Sequence, residues 1–461
     1  MHDFHGALRA FPGADGRLIG GAPALASVMD SLESACACPT FRLDGGDQMQ
    51  GTLDSNLTFG ASVVAALNHL RIDAAAVGNH ELDWGVDTLL ARQREADYAW
   101  LAANVFRIDD GSRPGWATPH AVFERDGARI GVIGYATAGT PRTLRPDVTA
   151  PYRFRSGYAA IADAVEGVSS EQPDFVVIVA HAGGACTEGG CVGEMVDLAR
   201  EMPRGAVDLI VGGHDHSAGE GVVNGVPIIR AGASGRGVGV VDLHRRSDGT
   251  RTFRMTRVPV YGDRASQDGV MTELLEPHLR SADERGRSPV TTLAEALAGS
   301  ATGDRKLGTL IAEATRLVAG ADVGMHNPGG TRADLPAGTI THADVHRVLP
   351  FDNAVVRLRL NGRDLRRLVQ QVGPRYYFAN LRVSFEGAGG RGGVTSLVFA
   401  SGAAVRDEGT YTLATSDFLA DGGDNLLWLA DLPREALGMT VLDAVVSHLR
   451  ALPAPVRLPT P

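Results

Sequence analysis

The sequence predicts an α/β protein of two domains, and three observations carry that reading. Apolar runs of strand length alternate with segments of helical spacing through the first half. Several of those runs end in short clusters of Asp, Asn and His. A long charged helical stretch, about 265–285, then separates this half from a second α/β pattern that starts near Thr291. The expected division is 1–264, a helical connector at 265–290, and 291–461.

The totals fit this picture. A chain of 461 residues has ample core for two or three domains. Its 44% apolar and 21% charged content is that of a globular protein. A formal charge of -10 argues against a partner made of nucleic-acid polymer, which calls for a basic surface. No apolar run approaches the roughly 18 residues that span a bilayer. Met1 is followed at once by His2-Asp3-Phe4-His5, so no signal peptide is visible. The four cysteines are Cys36, Cys38, Cys186 and Cys191. A Cys186–Cys191 disulfide closes a short loop and a Cys36–Cys38 bridge is tight; reduced thiols and a structural zinc on all four are the alternatives.

Taken in order, residues 40–43 form a short strand ending in Asp44-Gly45-Gly46-Asp47, and 62–70 have helical spacing. Residues 72–77 read as a buried strand that stops at Gly78. Asn79, His80, Glu81 and Asp83 fill the turn that follows, and a helix begins after Gly85. Strands are expected at 128–135, 175–180 and 207–211, the last two ending in His181 and in Gly212-Gly213-His214-Asp215-His216. Helices are expected at 157–165 and 192–202, and further strands at 226–230 and 238–243. In the second half, 307–319 and 363–372 are helical, with Asp364 helping to start the second. A strand covers 355–360, and 411–415 precede a polar turn at 416–425.

The strand ends share one composition. Asp3 and His5, Asp47, Asn79 and His80, His181, and His214 with His216 all offer O or N donors. Parallel strands would deliver them to one rim of a sheet, where α/β proteins bind ligands. A lone strand-ending His is commonly a satisfied core residue, and Asn-His can simply cap a helix. Five such clusters together point to a paired metal centre. Two divalent cations about 3.5–4 Å apart can clamp both oxygens of a phosphoryl displacement. A shared carboxylate eases their repulsion, and Asp47 is the candidate. Imidazole with carboxylate and no thiolate suits zinc, manganese or iron.

The order D-x-H, G-D, G-N-H-E, H, G-H-x-H resembles the calcineurin-like metallophosphatases. More narrowly, L-D-G-G-D-Q-M-Q-G-T, G-N-H-E-L-D-W-G and G-G-H-D-H resemble the secreted 5′-nucleotidase family. That family includes bacterial enzymes described as bifunctional UDP-sugar hydrolases and 5′-nucleotidases. The resemblance implies a four-layer α/β/β/α metallophosphatase sandwich followed by an α/β nucleotide-recognition domain. It places Asp3, His5 and His216 on one metal, Asn79, His181 and His214 on the other, and Asp47 between them. His80 would stabilise charge on the phosphate, oriented by Asp83. The family carries a strand ending in T-N-D-x-H, whereas only Met1 and His2 precede Asp3 here. The expectation is a trimmed or misassigned start, with Asp3 and His5 poorly anchored if the short start is genuine. The resemblance also implies a periplasmic, secreted or cell-surface location.

Three stretches of the second half carry the same resemblance. Asn327-Pro328-Gly329-Gly330-Thr331-Arg332 is similar to N-x-G-G-x-R, which implies substrate contacts for Asn327 and Arg332. Leu349-Pro350-Phe351 is similar to L-P-F, and Asp417 to Asp424 to F-L-A-x-G-G-D. Phe351 and Phe418 would stack on the two faces of a base, and Asp424 would take the ribose hydroxyls. Arg305, upstream of Leu307-Gly308-Thr309-Leu310, is a further candidate, although the family's spacing is longer. The implied reaction is metal-dependent hydrolysis of nucleotide phosphate esters, extending to UDP-sugars or 2′,3′-cyclic nucleotides. The C-terminal domain would rotate about the connector to deliver its nucleotide. The alternatives are a related phosphoesterase acting on a sugar phosphate or sulfur ester, and a non-catalytic nucleotide-binding surface protein.

Overall fold

A computed structural model describes residues 1–13, 16–187, 190–263, 267–299, 305–386 and 393–458. The chain forms two compact units, Met1–Ser281 and Ala282–Pro461.

The first unit is built on a six-stranded sheet. Its order is Gly219–Val223, Val226–Arg230, Leu209–Gly212, Phe175–His181, Ala128–Ala136, His120–Arg125. The four central strands pair in parallel and the two edge strands antiparallel. Phe175–His181 shows why this sheet is buried on both faces. Val176, Ile178 and Ala180 pack with the helices Ala162–Ser170 and Glu194–Glu201. Val179, on the other face, packs with Ala74, Ala76 and Leu101 of a second parallel sheet, Leu43–Asp44, Ala74–Ala76 and Ala99–Leu101. Val177 meets Leu43 and residues of the antiparallel pair Gly237–Arg245 and Arg251–Pro259. Helices Ala22–Ser34, Ala61–His69 and Val86–Glu95 contribute to the core on the outer side of this second β layer. The result is the four-layer α/β/β/α order. The two β layers approach closely at Gly134, where a Cβ would lie 2.1 Å from the Leu101 backbone.

No strand is assigned before Ala10–Pro12, yet residues 1–6 are not loose. Gly45 N–H donates to Met1 O at 2.8 Å, Asp3 N–H to Gly46 O at 2.8 Å, His5 N–H to Asp47 O at 3.1 Å and Gly6 N–H to Gln48 O at 2.9 Å. Asp3 and His5 are therefore fixed by backbone pairing, and both are buried. The expectation of poor anchoring is corrected by these bonds.

The segment at the domain division is helical over Gly269–Gly286, and Met271 and Leu275 in its first half are part of the first unit's core. Ala265 and Ser266 of the expected connector lie outside the described residues. The helix expected from Gly157 is a 3-10 turn, Tyr158–Ala160, followed by Ala162–Ser170. Gly157 itself has φ 82, which an α-helix does not admit. The cysteines pair as Cys36–Cys38 and Cys186–Cys191, the latter across the hairpin strands Ala185–Thr187 and Gly190–Val192.

The second unit holds a five-stranded sheet of order Tyr377–Ala379, Val323–His326, Thr410–Ser416, Ala354–Asn361, Arg434–Thr440. Helices Lys306–Ala319 and Val441–Ala451 share one apolar cluster with Val355 and Ala414. Helix Gly362–Val372 packs in a separate cluster with Val356, Leu358 and Leu360. That helix is capped by Asn361, whose side chain accepts the Asp364 N–H at 2.8 Å, so Asp364 is the donor of the cap and not its acceptor. Among the described residues, no helix is long and apolar enough to cross a membrane.

Candidate metal centre

The parallel strands bring the predicted donors together at their carboxyl ends. Two groups form, Asp3 with His5 and His216, and Asp47 with His181 and His214. Within each group the potential ligand atoms lie within 4.8 Å of one another. Nε2 of His5 and of His216 are 3.0 Å apart. His181 Nε2 is 3.1 Å from Asn79 Oδ1, 3.2 Å from His214 Nδ1 and 3.0 Å from Asp47 Oδ2. Asp47 Oδ2 also lies 3.8 Å from His5 Nε2, which puts this carboxylate between the two groups.

Hydrogen bonds on the far side of each ring fix which atom faces inward. His5 Nδ1 lies 2.7 Å from Gln50 O, and His181 Nδ1 lies 2.8 Å from Gly45 O. A carbonyl can only accept, so each Nδ1 carries the proton and each Nε2 turns to the cluster. Asp3 Oδ2 accepts the His214 N–H at 2.8 Å, while Asp3 Oδ1 is buried with no hydrogen-bond partner. A buried carboxylate oxygen left bare is costly unless a cation meets it.

The charges say the same. Burial pushes the Asp47 carboxyl up, but His181, His80 and His5 outweigh it and hold it well below the usual range. Burial opposes charge on His181, yet the carboxylates of Asp47, Asp3 and Glu81 drive its pKa up to about 10. Burial lowers His5 to about 3, with His216 and His80 acting in the same sense, so its nitrogen lone pair stays available. The pocket thus demands positive charge near His181 Nε2, and a divalent cation meets that demand with the donors present. The residues fit the metal pair.

Five of the seven donors reach their places through left-handed backbone, with φ 48 at Asp3, 49 at His5, 55 at Asp47, 80 at His214 and 57 at His216. For non-glycine residues this costs roughly 1–3 kcal/mol each. His80 stands beside the cluster, its ring centroid 5.3 Å from that of His5, and its Nδ1 donates to Asp83 Oδ2 at 2.8 Å.

In the second unit, Asn327 Nδ2 donates to Asp424 Oδ2 at 3.0 Å, and the Tyr376 hydroxyl donates to the same oxygen. Burial, reinforced by Asp424, raises the Tyr376 phenol well above its ordinary value, so it stays a donor. The Arg332 guanidinium lies 5.6 Å from the centre of the Phe351 ring. Phe351 and Asn327 line a shallow cleft together with His326, Asp352 and Ser416. Phe418 is half-buried at the edge of the core, close enough that a Cβ on Gly423 would strike its ring at 2.5 Å. Arg305 donates to Pro374 O at 2.9 Å and to Tyr376 O at 2.5 Å, and so holds the turn that carries Tyr376.

Comparison with known proteins follows the same division. Residues 286–431 match the family model described as the 5′-nucleotidase C-terminal domain, and 31–229 match that of the bacterial capsule synthesis protein PGA_cap. The chain is 27% identical over 445 residues to Protein UshA of Yersinia enterocolitica, covering 85% of this chain and 79% of that protein. It is 27% identical over 444 residues to a 5′-nucleotidase of Vibrio cholerae, covering 85% and 78%. The crystal structure of a 5′-nucleotidase precursor from Thermus thermophilus superposes with a TM-score of 0.85 at 26% identity, over 98% of this chain and 95% of that one. Residues 286–431 belong to the 5′-nucleotidase C-terminal domain family, and the chain is a hydrolase of the 5′-nucleotidase type.

Two features of this 5′-nucleotidase-type chain escape the sequence. Tyr376 is one, since nothing local ties it to Asp424, 48 positions away. Glu81 is the other. Its buried carboxylate accepts the N–H groups of Asp47 at 2.9 Å, Gln48 at 2.7 Å and Gly78 at 2.7 Å. It thereby staples the Asp47 loop to the Asn79 turn, where a Cβ on Gly78 would lie 2.2 Å from Asp47 Oδ1. Glu81→Ala strands three backbone donors, each costing about 1–3 kcal/mol when left unpaired. The expected loss is at least about 3 kcal/mol, read as a lower denaturant midpoint for the metal-free protein. An unchanged midpoint would refute the staple.

Proposed function

We propose that this protein hydrolyses phosphate esters of nucleotides as a 5′-nucleotidase, with UDP-sugars and 2′,3′-cyclic nucleotides as further substrates. The observation that carries the proposal is Asp47 Oδ2, which stands between two imidazole-rich donor groups. Asp3, His5 and His216 would hold one divalent ion, Asn79, His181 and His214 the other, and Asp47 both. Zinc, manganese and iron suit this set. When bound, such a pair supplies Lewis acidity toward phosphoryl oxygens and lowers the pKa of water toward neutrality.

The chain's own groups do the rest. His80, held by Asp83, presents its Nε2 edge toward the phosphoryl group and stabilises the charge that builds there. Phe351 and Phe418 stack on the base, Arg332 and Asn327 contact the substrate, and Asp424 accepts ribose hydroxyls. Asn327 and Tyr376 hold Asp424 Oδ2 in place for that task. Arg305 acts through the Tyr376 turn. The helix carrying Pro277 serves as the hinge segment between metallophosphatase and nucleotide-recognition domains. Periplasmic or secreted placement accords with two disulfides, which persist in oxidising compartments.

A substrate panel on the metal-loaded protein tests this reading. Nucleoside 5′-monophosphates are expected to be cleaved in preference to sugar phosphates or sulfur esters, with about two metal ions per chain. Phe418→Ala is expected to raise KM for nucleotides by roughly 5- to 150-fold, the equivalent of one lost stacking contact of about 1–3 kcal/mol. Nucleotide hydrolysis with an unchanged KM sinks the stacking role. A chain holding one ion or none, without turnover, favours a non-catalytic nucleotide binder.

A further inference from the structure

Behind the first donor group stands a residue with no assigned role, His2. Its side chain is fully buried beside that of Asp3, which is equally inaccessible. The Gly232 N–H donates to His2 Nε2 at 2.8 Å. Nε2 is therefore an acceptor, and the ring proton resides on Nδ1. That Nδ1–H donates to Asp3 Oδ2 at 2.5 Å. The same oxygen accepts the His214 N–H at 2.8 Å. Oδ2 is thus doubly bonded to protein donors while Oδ1 has none, and Oδ1 is the oxygen that lies 3.6 Å from His216 Nε2 and 3.8 Å from His5 Nε2.

We infer that His2 is a positioning residue for the metal site of Asp3, His5 and His216: its Nδ1–H occupies Asp3 Oδ2 and so selects Oδ1 as the ligand atom. The physical reason is directional. A carboxylate with both oxygens open can rotate, bind a cation through either, or chelate it with both. Asp3 has φ 48, a backbone that does not by itself fix the side chain. One donor from a buried ring and one from the His214 backbone remove the choice. The His214 contact also ties this aspartate to the loop that supplies donors to both groups. Hydrogen bonds behind a metal ligand typically change affinity by about 10- to 100-fold when lost.

The inference rests on the two-metal reading above, and the test separates the two. The full chain is stripped of metal, reconstituted with Mn²⁺ and dialysed against a graded chelator, with bound metal counted per chain. Two amide variants divide the contacts of His2. In His2→Asn the amide nitrogen falls near the place of Nδ1 and keeps the donor to Asp3. In His2→Gln the amide group falls near Nε2, keeping the acceptor for Gly232 and losing the donor to Asp3. His2→Gln is expected to hold one of its two ions about 10- to 100-fold more weakly. Its electron paramagnetic resonance spectrum is expected to change from that of a coupled manganese pair to that of an isolated ion. His2→Asn is expected to keep both ions within a few-fold of the parent and to keep the coupled spectrum. Equal retention by His2→Gln and the parent overturns the assignment. So does greater loss in His2→Asn than in His2→Gln, which would make the Gly232 contact the important one. A parent chain that binds fewer than two ions overturns the metal-centre reading itself, and that result is read without any variant.

Discussion

Replacing His80 by Ala is expected to leave both metal ions bound while kcat falls by about 10²–10³-fold, the usual effect of removing one group that stabilises developing charge. The separation is expected because His80 belongs to neither donor group, although it stands within ring contact of His5. Its backbone N–H donates to Asp47 Oδ1 at 2.8 Å, and that bond survives truncation of the side chain. Removing the imidazole therefore takes away a hydrogen-bonding edge without moving the Asp47 carboxylate. Metal analysis and steady-state kinetics on the same preparation check it. Loss of metal along with activity would make His80 a ligand, and retained turnover would remove it from the mechanism.

Asp47→Asn is expected to do the opposite, taking metal and activity together. Asp47 Oδ2 lies 3.0 Å from His181 Nε2 and 3.8 Å from His5 Nε2, and so stands between the two donor groups. Gly78 and the Glu81 staple close the space on its other side. With an amide there, the repulsion between two cations is no longer offset by a carboxylate. The affinity loss is expected to exceed the roughly 100-fold that removing a group behind a ligand costs. Fewer than two ions per chain after dialysis, with turnover near background, is the anticipated outcome. Two ions retained at parental affinity would show that Asp47 is not a bridge.

The donors were readable from sequence wherever an apolar run delivers them. His181 ends a strand of the six-stranded sheet, His214 follows the strand Leu209–Gly212, and Asn79 follows Ala74–Ala76 in the second sheet. Local pattern suffices there, because a parallel strand fixes both burial and the rim at which it ends. Asp3 and His5 have no such run before them. Their anchoring comes from pairing with residues 46–48, a contact more than 40 positions away that no local period encodes. Glu81 stands in the expected turn, but its partners Asp47 and Gln48 are 34 and 33 positions distant, so no local pattern shows the staple. The 269–286 helix was legible as a helix, while the burial of Met271 and Leu275 was masked by the charged residues around them. The same limit applies to Tyr376, which was identified only through its contact with Asp424.

The left-handed backbone at Asp3, His5, Asp47, His214 and His216 bears on how this protein would fare in directed evolution. At each of these positions glycine is the residue that the local conformation prefers. A search for thermal tolerance alone would therefore be drawn to the positions that hold the donors, since relief of strain is among the easier stabilising changes to find. Variants enriched that way would melt later and turn over nothing. Any library built on this chain needs an activity gate at every round, or the rim is the first part to erode.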